Sequence, residues 1–203
     1  MMGAKTSLCS ICCDESGGHW ANHGHRLDGL RSLTYNPCVP ILDQHTFDFF
    51  SRSPDQTRRI GARLGHGLET GDLVCLQGDL GAGKTTFVQG MASGWGSLDG
   101  VTSPTFVLVN EYRRPDGAFL FHLDACRLES APEAEELDID RMVGEGALVV
   151  EWPERVESAL PKEELWIVME HVAEEQRRIQ FTARGERYDH MLERLQHAMF
   201  GVA

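Results

Sequence analysis

The pattern of apolar and polar positions predicts an alternation of strands and helices from about residue 46 onward. Residues 73–76 and 147–150 are short apolar runs of the kind found in strands that are buried on both faces. Residues 54–68 instead repeat apolar side chains every three to four positions, which predicts a helix that Ser53 and Pro54 begin. Strands that alternate with helices are typical of α/β proteins.

The sequence predicts further strands and helices before and after these three segments. The remaining predicted single elements are a short strand over residues 46–51, a helix from 84 to about 93, an acidic helical stretch over 132–143 and a closing helix over about 188–199. Two hairpins are also predicted: residues 106–112 with 118–123, and residues 165–171 with 177–183 at the edge of the sheet. We find no internal repeat.

Residues 1–44 show no sustained period of 2 or 3.6 and are rich in Gly, Ser, Asn, Cys and His. We therefore expect a poorly ordered N-terminal extension over residues 1–44 and one domain over residues 45–203. The extension contains six potential zinc ligands: Cys9, Cys12, Cys13, His19, His23 and His25. Their spacing is shorter than in a standard zinc finger, so we favour an extension without zinc. The paired start Met1-Met2 leaves open an over-extended reading frame.

Composition and charge narrow the classes of function. No run approaches the roughly 18 apolar residues of a membrane helix, and no basic start precedes an apolar block, so we expect a cytoplasmic protein with reduced cysteines. The net charge is -12, and residues 129–175 carry it, with fifteen acidic residues against three basic ones. A nucleic-acid binder normally presents a basic face. Strong binding of tRNA or DNA by this chain alone is therefore disfavoured.

One motif carries phosphate chemistry. Residues 78–85 read Gly-Asp-Leu-Gly-Ala-Gly-Lys-Thr and lie between a predicted strand and a predicted helix. Glycines allow successive backbone N–H groups to turn inward and cradle phosphate oxygens at the positive end of the helix. Lys84 can reach the outer phosphates, and the Thr85 hydroxyl can ligate magnesium. The motif predicts a magnesium-dependent P-loop nucleotide-binding protein.

Two acidic residues end predicted strands. Asp124 follows the apolar run at 119–123, and Glu151 follows the run at 147–150. Open α/β sheets bind ligands beyond the carboxyl ends of their strands, and phosphoryl transfer needs carboxylates near its metal. The alternative is that Asp124 caps a turn and Glu151 is a solvated loop acid.

Three other residues allow two interpretations each. Thr105, in the segment Ser103-Pro104-Thr105, can sense a terminal phosphate as switch threonines do, but the segment is also typical of a simple turn. Trp152 either lines the nucleotide pocket or packs on the core. We interpret His122, on an apolar strand, as a core or site-supporting histidine rather than a metal ligand.

Together these motifs resemble one family, the bacterial threonylcarbamoyladenosine-biosynthesis ATPases (TsaE, also called YjeE). Residues 78–87 resemble the family's extended Walker A motif, and residues 103–106 resemble its switch segment. His122-Leu123-Asp124 with Arg127-Leu128 is similar to its Walker-B-like stretch, and Glu151-Trp152 to its acid-tryptophan pair. The resemblance covers about residues 46–183 and implies a three-layer, P-loop NTPase-like α/β fold, with a mainly parallel sheet and antiparallel edge strands.

The resemblance also implies a function. In that family an ATPase joins a threonylcarbamoyl transferase subunit and its inactive homologue, and the complex modifies the adenosine beside the anticodon of tRNA. The ATPase supports turnover and does not transfer the group itself. We therefore expect ATP and magnesium as cofactors, weak activity in isolation, contact with tRNA only through the complex, and no membrane.

Residue roles are carried over in the same way. The expected catalytic residues are Lys84, Thr105, Asp124 and Glu151, and the expected magnesium ligands are Thr85 and Glu151. The expected nucleotide-binding residues are Asp79, Leu80, Gly81, Ala82, Gly83, Lys84, Thr85, Thr86 and Trp152. The division of roles between Asp124 and Glu151 stays open. Cys126 stands where the family usually has a tyrosine, which puts any partner contact through that ring in doubt.

Three rival functions remain. A small-molecule P-loop kinase would share the phosphate cradle but needs a lid with arginines, and between the P-loop and Glu151 the arginines are Arg113, Arg114, Arg127 and Arg141. A GTPase is disfavoured because no Asn-Lys-x-Asp element occurs in the sequence. A nucleotide-gated scaffold without catalysis stays open, since binding and hydrolysis use the same residues.

Overall fold

Eight strands form one mixed sheet at the centre of the fold. The computed structural model describes residues 41–43, 45–101, 108–128, 133 and 136–201. The strands are β1 Ile41–Asp43, β2 Thr46–Ser51, β3 Leu73–Gln77, β4 Val109–Arg113, β5 Phe119–Asp124, β6 Gly146–Glu151, β7 Glu164–Ala173 and β8 Gln176–Arg184. The helices are α1 Pro54–His66, α2 Lys84–Trp95, α3 Ile139–Glu145 and α4 Glu186–Phe200, with 3₁₀ turns at Pro153–Arg155 and Glu157–Ala159.

Most element predictions are confirmed to within a few residues at each end. Ser53 caps α1, since its side chain accepts a hydrogen bond from the backbone N–H of Gln56, and α1 ends at His66, two residues before the predicted end. The acidic stretch predicted to be helical over residues 132–143 forms a helix over Ile139–Glu145. Residues 132, 134 and 135 of its earlier part lie outside the described residues, and residues 136–138 precede the helix as a turn.

The strand order is β1-β2-β8-β7-β3-β6-β5-β4. The four middle strands, β7, β3, β6 and β5, run parallel, and the pairings on both sides of them are antiparallel. This arrangement confirms the predicted fold class. Because parallel strands end at the same edge of a sheet, the carboxyl ends of β3, β5 and β6 lie together.

The prediction that the hairpin β7–β8 lies at the edge of the sheet is wrong. Strand β2 pairs with β8 from Thr46↔Thr182 to Ser51↔Arg177, so the hairpin is interior. The sheet also begins before the predicted domain start at residue 45, because β1 pairs with β2. Long-range pairing leaves no local signal: Asp48 and Arg178, which form an ion pair across these strands, are 130 residues apart.

Helices cover both faces of the sheet and form three layers. Side chains from α1, α2 and α4 pack on one face, where they meet Val74 and Leu76 of β3. Residues of α3 and of the segment 156–160 pack on the other face, against Leu73 and Cys75 of the same strand. This division follows from the alternation of side chains along a strand. In the described ranges, no helix is long and apolar enough to cross a membrane.

Helices α1 and α2 approach each other closely through glycines. A Cβ atom on Gly61 or Gly65 of α1 would overlap the backbone oxygens of Phe87 and Met91 on α2. In return, a Cβ atom on Gly90 of α2 would overlap a backbone oxygen of α1. The backbones therefore touch where side chains would otherwise separate them, and α2 is held tightly against α1.

Deletion of residues 1–40 is expected to change the melting temperature by no more than about 2 °C, because that segment lacks the apolar periodicity to join a core. Deletion of residues 1–44 also removes β1 and uncovers the outer edge of β2. We expect the longer deletion to lower the melting temperature by about 2–4 °C. Calorimetry of the full chain and the two shortened chains measures both effects.

For each deletion, one result would contradict these predictions. A large loss of stability on removal of residues 1–40 would show that this segment joins the core. Equal melting temperatures for the two shortened chains would show that β1 contributes nothing to stability.

Candidate functional site

The glycine-rich loop at residues 78–85 connects β3 to α2. Gly81 and Gly83 have φ angles of 83° and 100°, which side-chain-bearing residues rarely adopt. Gly83 precedes the first turn of α2, and no side chain caps this helix. A helix start without a side-chain cap offers its first N–H groups and its positive dipole end to an anion.

Lys84 is folded into this loop. It is buried, and its Nζ donates hydrogen bonds to the backbone oxygens of Gly78 at 2.6 Å and Asp79 at 3.1 Å. The same Nζ lies 4.3 Å from the ring centroid of Trp152. The lysine ammonium is therefore held by loop carbonyls and an aromatic ring, at a position from which it can turn to phosphate oxygens.

Trp152 packs on the core and also faces the glycine-rich loop. The side chain is half-buried and packs against the core layer that contains α3, and its ring also contacts Lys84. That it lines a nucleotide pocket stays a prediction. Its backbone has a φ of 60°, in the left-handed region, directly after β6. This turn sends the chain away from the sheet while the ring stays beside the loop.

Asp124 and Glu151 end neighbouring strands. Asp124 is the last residue of β5, Glu151 is the last residue of β6, and the two are directly paired in the parallel register. Both are buried, with 7% and 4% of their surface exposed. The Asp124 Oδ1 accepts a hydrogen bond of 2.9 Å from the backbone N–H of Cys126. The structure therefore brings the two strand-terminal acids together beside the loop.

The Glu151 carboxylate contacts side chains from two other elements. Its Oε1 lies 3.0 Å from Nε2 of His122 on β5 and 3.5 Å from Oγ1 of Thr85 on α2. His122 is completely buried, and its Nδ1 lies 3.5 Å from the hydroxyl of Tyr112 on β4. An Nε2–H that donates to Glu151 leaves Nδ1 as an acceptor for the tyrosine O–H. His122 is thus a buried histidine with a partner at each ring nitrogen, and its support of a functional site stays a prediction.

Thr85 and Glu151 form a suitable pair of ligands for magnesium. Both offer oxygen atoms, and Mg²⁺ binds to one or two protein oxygens while phosphate oxygens and water complete its coordination. In the part of the chain that the structure describes, no cluster of three His, Cys, Asp or Glu residues forms a site made by protein alone. The six potential zinc ligands of the N-terminal segment lie outside the described residues.

The loop, the two acids and Trp152 line one cavity of about 350 Å³. Its lining residues are Leu80, Gly81, Gly83, Lys84, Thr85, Thr86, Asp124, Cys126, Glu151, Trp152 and Arg177. Burial, followed by the neighbouring Asp124 carboxylate, raises the pKa of the Cys126 thiol, which therefore stays protonated near neutral pH. A second cavity of about 620 Å³ adjoins the first and shares Leu80 and Trp152 with it.

The predicted switch residue Thr105 lies outside the described residues, as do Ser103 and Pro104. The chain is described again from Leu108, whose backbone oxygen accepts a hydrogen bond of 3.0 Å from the N–H of Asp124.

Sequence reasoning missed two residues of this site. Tyr112 contacts His122 from the edge strand β4, and Arg177 lines the cavity from β8. Neither residue belongs to a local motif, since both reach the site through strand pairing. The pairing of β7 with β3, which places the β7–β8 hairpin next to the strand before the loop, was the information needed to place Arg177.

Comparisons with known proteins agree with this geometry. Residues 51–179 match the family model described as threonylcarbamoyl adenosine biosynthesis protein TsaE. A tRNA threonylcarbamoyladenosine biosynthesis protein TsaE from Bacillus subtilis is 41% identical over 145 residues, which cover 70% of this chain and 89% of that protein. A protein of the same name from Treponema pallidum is 42% identical over 130 residues, which cover 64% and 95% of the two chains.

A solved structure shows the same architecture. The crystal structure of YdiB from Bacillus subtilis superposes with a TM-score of 0.64 at 34% sequence identity. The superposition covers 76% of this chain and 96% of that chain. The matched family region contains the loop at residues 78–85, both strand-terminal acids and Trp152.

Proposed function

We propose that this chain, which belongs to the TsaE family of threonylcarbamoyl adenosine biosynthesis proteins, is the ATP-binding and ATP-hydrolysing subunit of the complex that forms threonylcarbamoyladenosine in tRNA. It supports turnover of the transferase and does not transfer the group itself. The observation that carries the proposal is one cleft in which Lys84, Asp124 and Glu151 meet at the start of α2.

The loop binds the phosphates of ATP. Backbone N–H groups around Gly83 and at the start of α2 donate to phosphate oxygens, and Lys84 exchanges the oxygens of Gly78 and Asp79 for those of the outer phosphates. Thr86 and Trp152 complete the nucleotide contacts. The exchange has a low cost because the ammonium is already desolvated in the cleft.

Thr85 and Glu151 hold magnesium in this proposal, since their oxygens are neighbours at 3.5 Å. When bound, the ion supplies positive charge that stabilises the outer phosphates during hydrolysis. His122 supports this role because it orients the Glu151 carboxylate through Nε2. Asp124, paired in register with Glu151, orients or activates the attacking water. Thr105 senses the terminal phosphate.

The partners in this proposal are the threonylcarbamoyl transferase subunit and its inactive homologue, in the cytoplasm. The charge distribution supports contact with tRNA only through these partners, because residues 129–175 are strongly acidic and repel phosphate. The names of the relatives connect them with threonylcarbamoyladenosine in tRNA, which is why we favour this pathway over a small-molecule kinase.

Two of the four arginines between the P-loop and Glu151 are also engaged elsewhere. Arg114 forms an ion pair with Asp116 and lies over the ring of Trp95. Arg141 forms ion pairs with Asp138, just before its helix, and with Glu145 on the same helix. Neither arginine lines the cavity beside the P-loop.

Phosphate release measured for the chain alone is expected to be slow, and addition of the transferase pair is expected to raise it by about tenfold or more, because the partners order a site that is incomplete in the free chain. Transfer RNA added without the pair should neither bind at physiological salt nor change the rate. Four reactions test this: the chain alone, with tRNA, with the pair, and with both. The Lys84→Ala variant measures the background of contaminating phosphatases.

The kinase and scaffold alternatives predict different results. Fast hydrolysis by the chain alone, or tight tRNA binding without partners, would favour an independent enzyme. Binding of ATP with no hydrolysis in any of the four reactions would favour a nucleotide-gated scaffold.

A further inference from the structure

Arg177 of β8 lies against the glycine-rich loop from outside the P-loop motif. Its Nε donates a hydrogen bond of 3.1 Å to the backbone oxygen of Ala82, and its Nη2 donates one of 3.4 Å to that of Gly81. Ala82 and Arg177 are 95 residues apart in the sequence. The contact exists because β8 pairs with β7, which itself pairs with β3, the strand that leads into the loop.

The same guanidinium also contacts the end of its own hairpin. Nη1 donates to the backbone oxygens of Ala173 at 3.3 Å, Glu174 at 3.4 Å and Gln176 at 3.1 Å. One rigid, planar group thus joins the turn of β7–β8 to the loop. In the described part of the chain Arg177 forms no ion pair, whereas its neighbour Arg178 pairs with Asp48 and Glu170.

These contacts determine which way a loop peptide faces. The peptide group is planar and trans, so the oxygen of Ala82 and the N–H of Gly83 point in opposite directions. The Ala82 oxygen points towards Arg177, and the Gly83 N–H is therefore turned away from it. Glycine at position 83 would otherwise allow this peptide to rotate at little cost.

We propose that Arg177 is a positioning residue for phosphate binding: it holds the peptides at Gly81 and Ala82 with their oxygens outward, so that the N–H of Gly83 stays aimed into the cradle. The inference rests on the proposed function, in which the loop binds nucleotide phosphates. Arg177 acts here through backbone geometry and not through its charge. The turn of the β7–β8 hairpin becomes part of the nucleotide site, because it anchors the other side of the guanidinium.

Three variants test this proposal: Arg177→Gln, Arg177→Lys and, as the control, Arg194→Gln, which removes the same charge from an exposed position on α4. Affinity for ADP without magnesium is measured by calorimetry, and amide hydrogen exchange of the loop is measured in nucleotide-free protein. We expect Arg177→Gln to weaken ADP binding about tenfold and to speed exchange of the loop amides. Arg177→Lys should lose nearly as much, since one ammonium cannot span both loop oxygens and the hairpin turn.

The control Arg194→Gln should stay within about twofold of the wild-type ADP affinity, with unchanged loop exchange. Wild-type affinity in Arg177→Lys combined with a loss in Arg177→Gln would overturn the proposal in favour of a role for charge alone. Unchanged loop exchange in Arg177→Gln would also overturn it. Failure of the wild-type chain to bind ADP would instead contradict the proposed function, and the exchange comparison would still decide whether Arg177 orders the loop.

Discussion

Replacement of Lys84 by alanine is expected to weaken ATP binding by about 100-fold or more, since each hydrogen bond from a charged group contributes about 1.5–3 kcal/mol and Lys84 can donate more than one to phosphate. The fold should persist, because in the absence of nucleotide the ammonium contacts only neighbouring loop oxygens and the Trp152 ring among its described contacts. Calorimetry with ATP and magnesium measures the loss. Lys162→Ala removes the same charge from an exposed position and is the control.

Lys84→Ala with unchanged ATP affinity would contradict the assignment of residues 78–85 as the phosphate cradle. A large fall in melting temperature would show that the lysine contributes to folding. In that case Lys84→Arg, which keeps the charge, separates the contribution to folding from the contribution to binding.

Replacement of either strand-terminal acid is expected to reduce ATP hydrolysis in the assembled complex by about 100-fold to 1,000-fold, the range for loss of a general base or metal-linked carboxylate. Asp124→Asn and Glu151→Gln keep the shape of each side chain. In Glu151→Gln the amide oxygen can still accept from His122, so the buried contact at 3.0 Å is preserved. Glu145→Gln, at an exposed position on α3, controls for the change in net charge.

A magnesium titration assigns the two roles. If Glu151 is the metal ligand, higher magnesium should restore part of the activity of Glu151→Gln and none of the activity of Asp124→Asn. Equal losses that magnesium does not restore would contradict this assignment. Rescue of Asp124→Asn alone would exchange the two roles.

The local parts of the fold could be predicted from sequence because their causes are local. Ser53 caps α1 through a bond to a residue three positions away, and the glycines at 81 and 83 take φ values that their own chemistry allows. The two acids were found for a related reason, since each directly follows a buried apolar strand. Thr105 stays a prediction.

The parts that could not be predicted depend on pairing between distant segments. No property of residues 165–183 alone shows that β2 will cover β8, and the burial of that hairpin is a consequence of the pairing. Arg177 shares this limitation, because it reaches the site across strands that sequence reasoning had placed incompletely. Tyr112 does not, since it lies ten residues from His122 in a hairpin that the sequence predicts. Strand order determines such contacts, and the order emerges only in the folded chain.

The glycines that bring α1 against α2 also decide which parts of the nucleotide site can move. A helix whose backbone touches another backbone cannot slide or rotate without separating the two, so α2 acts as a fixed mounting for Thr85 and Thr86. We therefore expect movement during the proposed ATP cycle to involve the other elements of the cleft more than α2. Partners that control the proposed cycle are then expected to act on those elements and not on α2.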